Sequence, residues 1–389
     1  MNKNNIFSSE AVTKGHPDKV CDQISDAIVD NFISQDSLSR VACETMIMPG
    51  KVIVAGEISS KGHVVIEDVV KRVLEKVGYQ KEYHGLSAND VEIETNISLQ
   101  SEDIAMGVNC SYESKKEGQK KQLGAGDQGI MHGYATCETP EYMPVSAILA
   151  QKIVKKMDSL RECGEIDYIL SDGKSQVSVE YSQEFVPQRI AAVVVSVQHL
   201  PKVEMAQLKQ DLYDKVLSQV IPDKWIDENT KIFINPTGRF VSGGAKADCG
   251  LTGRKIIVDT YGGWGGHGGG AFSGKDPSKV DRSGAYMARY VAKNLVASGI
   301  CKRVDIQIAY AIGVAEPVGI YVNTFGTGKI SDSEINYNVK KTLNFSPDSI
   351  IQKFDLLRPI YENLAVYGHF GRVEKSYKWE NIDYYYLGI

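Results

Sequence analysis

Strand-like and helix-like runs alternate along almost the whole chain, and this alternation limits the possible folds more than any other feature of the sequence. From Pro17 onward, Val20, Ile24, Ala27, Ile28 and Phe32 recur at helical spacing, and Pro17 with Asp18 suits a first helical turn. Runs at 51–56, 91–97, 190–197, 231–234, 255–259, 303–310 and 319–323 predict strands. Helical periodicity at 64–77, 145–157, 203–220 and 281–297 falls between several of them. The pattern is an α/β alternation in three portions of similar length. With 389 residues, the chain can build roughly two or three domains with sizeable cores.

A formal net charge of −5 argues against a broad surface for nucleic acid. A local cationic pocket remains compatible with it. The seven cysteines are scattered, without a C-x-x-C pair or a histidine at metal-ligand spacing, and are expected to be free, mostly buried thiols. The N-terminal residues lack the apolar core and cleavage site of a signal peptide, and the most apolar run, 190–197, is too short to span a bilayer. A cytoplasmic location is the resulting expectation. SYESKKEGQKKQ at 111–122 breaks the alternation and reads either as a solvated loop or as a mobile lid over a site.

Two short motifs suggest known nucleotide sites and fail on context. GAGDQG at 124–129 spells G-x-G-x-x-G, but the residues before it are Gln119, Lys120, Lys121 and Gln122, where a dinucleotide fold requires a hydrophobic strand. GGAFSGK at 269–275 spells G-x-x-x-x-G-K, but Asp276 and Pro277 follow it, where a P-loop places a magnesium-binding hydroxyl. A glycine-rich turn that delivers Lys275 and Lys279 to phosphate oxygens survives both objections, set against a plain flexible hinge with solvated lysines. Arg254 with Lys255, and Lys174 after Asp172 and Gly173, add further cations suited to phosphate. Asp18 and Asp281 are hard oxygen ligands of the kind magnesium takes alongside phosphate oxygens and water.

GHPDK at 15–19, GAGDQG at 124–129, FINPTGRF at 233–240, DCGLTGRK at 248–255 and GGGAFSGKDPSK at 268–279 together closely resemble the S-adenosylmethionine synthetase family. The likeness runs from Phe7 to YGHFGR at 367–372. It implies conversion of ATP, L-methionine and water to S-adenosylmethionine, pyrophosphate and phosphate, with a pair of Mg²⁺ ions and K⁺. By the same resemblance, ATP would meet His16, Asp127, Asp172, Gly173, Lys174, Arg239, Phe240, Asp248, Arg254, Lys255, Ala271 and Lys275. Asp18 and Asp281 would hold magnesium, and Glu44 potassium. Methionine would meet Glu57, Gln100, Asp248, Lys279 and Ile312, with the loop after Gln100 closing over both substrates. The implied fold is three similar subdomains of mixed β-sheet covered by helices about a pseudo-threefold axis. They would span residues 1–121 (with the lid at about 100–122), 122–242 and 243–389, and assemble as a homotetramer of two tight dimers with active sites between subunits. The chain departs from the family's usual pattern at Lys14, at His132 and at the stretch Ala245, Lys246, Ala247.

The implied chemistry fits the residue types. A thioether sulfur has no proton to lose, so displacement at C5′ needs no general base, and no nucleophile–base triad stands out. Positive charge develops on sulfur and negative charge on the departing triphosphate, so His16, Lys174, Arg254, Lys255, Lys275 and Lys279 are the expected catalytic groups. Two alternatives use the same lysines: an ATP-dependent kinase or ligase that attacks phosphorus, and a nucleotide sensor that consumes no ATP.

Overall fold

The structure is a computed structural model that describes residues 5–100, 110–115 and 122–383. Most of the expected lid, residues 101–109 and 116–121, lies outside the described residues.

One order of elements recurs along the chain. It begins with β1 (Asn5–Val12), α1 (Pro17–Gln35), β2 (Arg40–Met48), β3 (Lys51–Ser59), α2 (Ile66–Val77) and β4 (Glu92–Ser98). The order repeats in β5 (Gly129–Thr136), α3 (Val145–Glu162), β6 (Ile169–Tyr181), β7 (Pro187–His199), α4 (Met205–Leu212) and β8 (Lys231–Ile234). It returns a third time in β9 (Gly250–Leu251), α5 (Val280–Ala297), β10 (Arg303–Tyr310), β11 (Gly319–Asn323) and α6 (Asp332–Thr342), after which α7 (Pro347–Phe354) replaces the last strand.

The strands form three sheets, ordered β1-β6-β7-β8, β11-β10-β5 and β4-β3-β2-β9. Within each portion a helix precedes an antiparallel hairpin. In two of them a crossover through α2 or α4 then adds a parallel strand, β4 on β3 and β8 on β7, as parallel pairing requires. The first strand of each portion joins another portion's sheet: β1 runs antiparallel to β6, β5 to β10 and β9 to β2. The three portions therefore hold one another in a closed ring of strand exchange. The architecture is mixed α+β, with several mixed sheets covered by helices.

The long helices form the centre. Nearly every residue of α5 is buried, because both its faces pack against other elements. Charge inside this core is paired: Lys19, 1% exposed, bridges the Asp22 and Asp259 carboxylates.

Residues 255–259, expected as a strand, instead form a helical turn, Ile256–Asp259, closed by an Asp259 N–H to Lys255 C=O bond of 2.9 Å. A strand would send Val258 and Asp259 to opposite faces. Here both are buried, and Asp259 reaches Lys19. The cysteines are free but less buried than expected: Cys21, Cys43 and Cys301 are buried, whereas Cys137 and Cys163 are exposed. Among the described residues no helix is long and apolar enough to cross a membrane.

Candidate functional site

The candidate residues gather in two groups, each at the N-terminus of a long buried helix. Asp18 is the second residue of α1 and Asp281 the second residue of α5, equivalent places in the repeat. A helix N-terminus presents unpaired N–H groups and a positive dipole end, both favourable to an anion.

The first group forms around His16, which caps α1. Its Nδ1 accepts the Asp18 backbone N–H at 3.3 Å, so the ring proton falls on Nε2. The side chain is buried, and its pKa is lowered to about 3 by burial first, then by the positive charges of Lys255 and Lys174. Asp18, 3% exposed, accepts the Leu251 N–H at 3.0 Å and the Lys255 ammonium, with Arg254 at 4.0 Å. Burial alone would raise the Asp18 pKa, but the Lys255 and Leu251 hydrogen bonds hold it below the ordinary value. Lys174 lies exposed on β6.

Beside them Asp172 accepts the Gly244 N–H at 2.8 Å, and burial pushes its pKa up to about 6. This bond ties the 239–244 segment to β6, and the Phe240 C=O is fixed by the His199 N–H at 2.9 Å. Gly173 sits where β6 and β7 slip register, too close to the Ser196 carbonyl for a Cβ to fit easily, at 2.9 Å. Arg239 and Asp248 are exposed at the rim.

The second group forms around α5. Lys275 Nζ donates to Asp281 Oδ2 at 2.6 Å, and Lys279 pairs with Asp276. Asp276, fully buried, also accepts the Val41 N–H at 2.8 Å and the Ser278 N–H at 2.9 Å, with Arg40 at 3.6 Å. In the sequence Asp276 is a departure from a P-loop and one more charged residue beside the glycines, with no role of its own. Its place between Lys275 and Pro277 was the available signal, and it clamps the segment that carries both lysines.

The glycines of this segment serve close approach more than phosphate binding. A Cβ on Gly268 would lie 1.5 Å from the Ile130 carbonyl oxygen, and one on Gly270 would lie 2.1 Å from Asp281 Oδ1. Two backbone N–H groups of the glycine-rich turn are already used, Gly269 by His267 Nδ1 and Gly274 by Asp26.

The methionine candidates connect to this group through a sheet. Lys275 bridges to Ala42 on β2, Ala42 faces Glu57 on β3, and Glu57 faces Ser98 on β4, two residues before Gln100. The Gln100 N–H donates to Ser59 Oγ at 3.2 Å. Ile312, 46% exposed, bridges to Ala125 in the 124–129 turn, and Gly126 of that turn packs on the Ser278 carbonyl. Asp127 is exposed at its tip, and Glu44 is exposed on β2. The two groups approach each other at Gly253 and Ala271, where an added Cβ on Gly253 would lie 2.7 Å from the Ala271 Cβ.

No cluster of three or more metal-ligating side chains exists among the described residues. The donor set nevertheless suits magnesium. Asp18 and Asp281 are separate carboxylates, now each paired with a lysine, and magnesium takes one or two carboxylates with substrate oxygens and water completing the shell.

The fold is a set of interlocked mixed sheets, and the candidate residues bring lysines, arginines and carboxylates together at two helix N-termini. Residues 4–102 match the N-terminal domain of S-adenosylmethionine synthetase, residues 122–240 its central domain and residues 242–381 its C-terminal domain. The chain is 51% identical to the S-adenosylmethionine synthase of Clostridium tetani and 53% identical to that of Clostridium acetobutylicum, in each case over 380 residues and 97% of both chains. The chain belongs to the S-adenosylmethionine synthetase family, and it is a methionine adenosyltransferase.

Proposed function

We propose that this enzyme makes S-adenosylmethionine by direct attack of the methionine sulfur on C5′ of ATP, then hydrolyses the released triphosphate to pyrophosphate and phosphate at the same site. The observation that carries this reading is His16. A buried, neutral imidazole with its proton on Nε2 and two lysines beside it is a hydrogen-bond donor prepared for an anionic oxygen. In the adenosyl-transfer step neither it nor any other group needs to accept a proton, because the thioether has none to give.

Lys174, Arg254 and Lys255 around His16, with Lys275 and Lys279 of the second group, would stabilise the charge that develops on the triphosphate. Each cation about 4 Å from a phosphate charge is worth very roughly 4 kcal/mol at an effective dielectric near 20, before desolvation. Alignment of sulfur with C5′ by Glu57, Gln100 and Asp248 would supply about 7 to 11 kcal/mol more. Asp18 and Asp281 would hold Mg²⁺, which when bound neutralises phosphate charge, and Glu44 would hold K⁺.

Lysines that now pair with Asp18 and Asp281 would turn to the phosphates once substrate enters. The family resemblance supports a site completed by a second copy, within a homotetramer of two tight dimers. Ile6, Ile130, Phe233 and Tyr321 are exposed on strands, at 61, 45, 43 and 60%. Ile130 and Tyr321 lie on one face of the β11-β10-β5 sheet, and neighbouring exposed apolar positions favour burial in an assembly. The absence of a membrane-spanning helix among the described residues is compatible with a cytoplasmic enzyme.

Substitution of Lys275 by Met tests the role assignment: formation of S-adenosylmethionine should fall at least about tenfold with the fold retained. Normal turnover in a folded Lys275→Met enzyme would remove Lys275 from the site.

A further inference from the structure

The glycine segment that leads into the second group is fastened at its start by a polar cluster on the sheet below. His132 on β5 lies between Gly133 and Met131, opposite Gln307 of β10. Its Nδ1 is 2.9 Å from Asp305 Oδ1, and its Nε2 is 3.3 Å from Gln307 Nε2. One tautomer satisfies both contacts: Nδ1–H donates to the carboxylate and Nε2 accepts from the amide. The other carboxylate oxygen of Asp305 accepts the Gly266 N–H at 2.9 Å.

The His132 ring also packs against Gly266, where a Cβ would fall 2.2 Å from Cε1. The chain then descends along β5 in two-residue steps. Gly268 presses on the Ile130 carbonyl, and Gly270 presses on the Asp281 carboxylate that pairs with Lys275. Between these contacts the His267 ring accepts the Gly269 N–H at 2.8 Å. A segment with four glycines in five residues, and His267 as its one larger side chain, is thus pinned at one end by hydrogen bonds and ends against a candidate ligand.

We propose that His132, Asp305 and Gln307 are positioning residues of the active site, which fix the 266–270 segment and through Gly270 set the placement of the Asp281 carboxylate and its partner Lys275. This rests on the reading that Lys275 and Asp281 belong to the site. His132 touches no reacting group and acts through the segment.

The test compares His132→Asn, which keeps a donor near the Nδ1 position, with His132→Phe, which keeps a ring over Gly266 but no donor, and adds Asp305→Ala and the double variant His132→Phe with Asp305→Ala. We expect kcat for S-adenosylmethionine formation to fall about fivefold or more in His132→Phe and in Asp305→Ala, with similar melting temperatures. His132→Asn should recover at least half of that loss, and the double variant should be no worse than the poorer single one. Amide hydrogen exchange in residues 262–271 should quicken in the Phe and Ala variants.

The proposal is overturned if Asn rescues no better than Phe, if the two losses multiply, or if exchange in the segment is unchanged. Lys275→Met, assayed in parallel, separates the two claims. Full activity in that variant sinks the site reading itself, whereas a collapse there alongside normal His132 variants sinks only the positioning role.

Discussion

His16 is the residue whose local geometry says most about chemistry. An ordinary histidine switches charge near neutrality, but burial and two flanking lysines hold this one neutral down to about pH 3. The sign of the linkage follows. The unfolded chain binds a proton at His16 below about 6.5, and the folded chain binds it only near 3, so this residue's contribution lowers stability as pH falls between those values. In the substrate-free enzyme, the His16 ring carbon shifts measured by NMR should therefore stay flat from pH 8 to about 5. A titration midpoint near 6.5 would contradict the assigned environment. Replacement of His16 by Asn should depress kcat at least about tenfold with a melting temperature close to that of the parent. If the loss of activity instead tracked a large loss of stability, the residue would be a structural cap of α1 and not a donor to substrate.

At the scale of elements, the sequence was informative wherever a pattern was local. The helices α1, α2, α3 and α5 and the strands β3, β4, β7, β8, β10 and β11 announce themselves by period, and three of those strands coincide with their expected bounds. The strands β1, β2, β5 and β6 were not legible. Their alternation is diluted by Ser, Glu and Gly, and what makes them strands is a partner elsewhere in the chain, as when β1 pairs with β6 across more than a hundred residues.

The site divides in the same way. The candidates His16, Asp18, Lys275 and Asp281 could be singled out because their motifs are contiguous. The contacts of Asp276, His132 and Asp305 could not, because only the folded chain creates them. The glycine segment offers a direct test. Gly268→Ala forces a Cβ onto the Ile130 carbonyl and should cost about 1–3 kcal/mol by chemical denaturation. Gly319→Ala meets open space and should change stability by less than about 0.5 kcal/mol. Equal effects would mean that the segment is not packed on β5.

For the whole molecule, the ring of exchanged strands couples all three portions. The proposed subdomains at 1–121, 122–242 and 243–389 each lend a strand to another and borrow one in return. We expect a single thermal unfolding transition, because no portion can melt without removing a strand from its neighbour's sheet. The exposed face that carries Ile130 and Tyr321 belongs to the same argument. Tyr321→Asp should shift the enzyme toward smaller species in sedimentation velocity and lower its activity in proportion, if a second copy completes the site. An unchanged assembly with full turnover would place the subunit contact elsewhere.

The central claim concerns which bond of ATP is broken, and product analysis decides it. The enzyme should be incubated with ATP, L-methionine, Mg²⁺ and K⁺, and the products resolved by mass. Adenosyl transfer predicts S-adenosylmethionine, pyrophosphate and phosphate in equal amounts, without ADP or AMP. Formation of ADP or AMP in step with methionine consumption, or no S-adenosylmethionine at all, would contradict it.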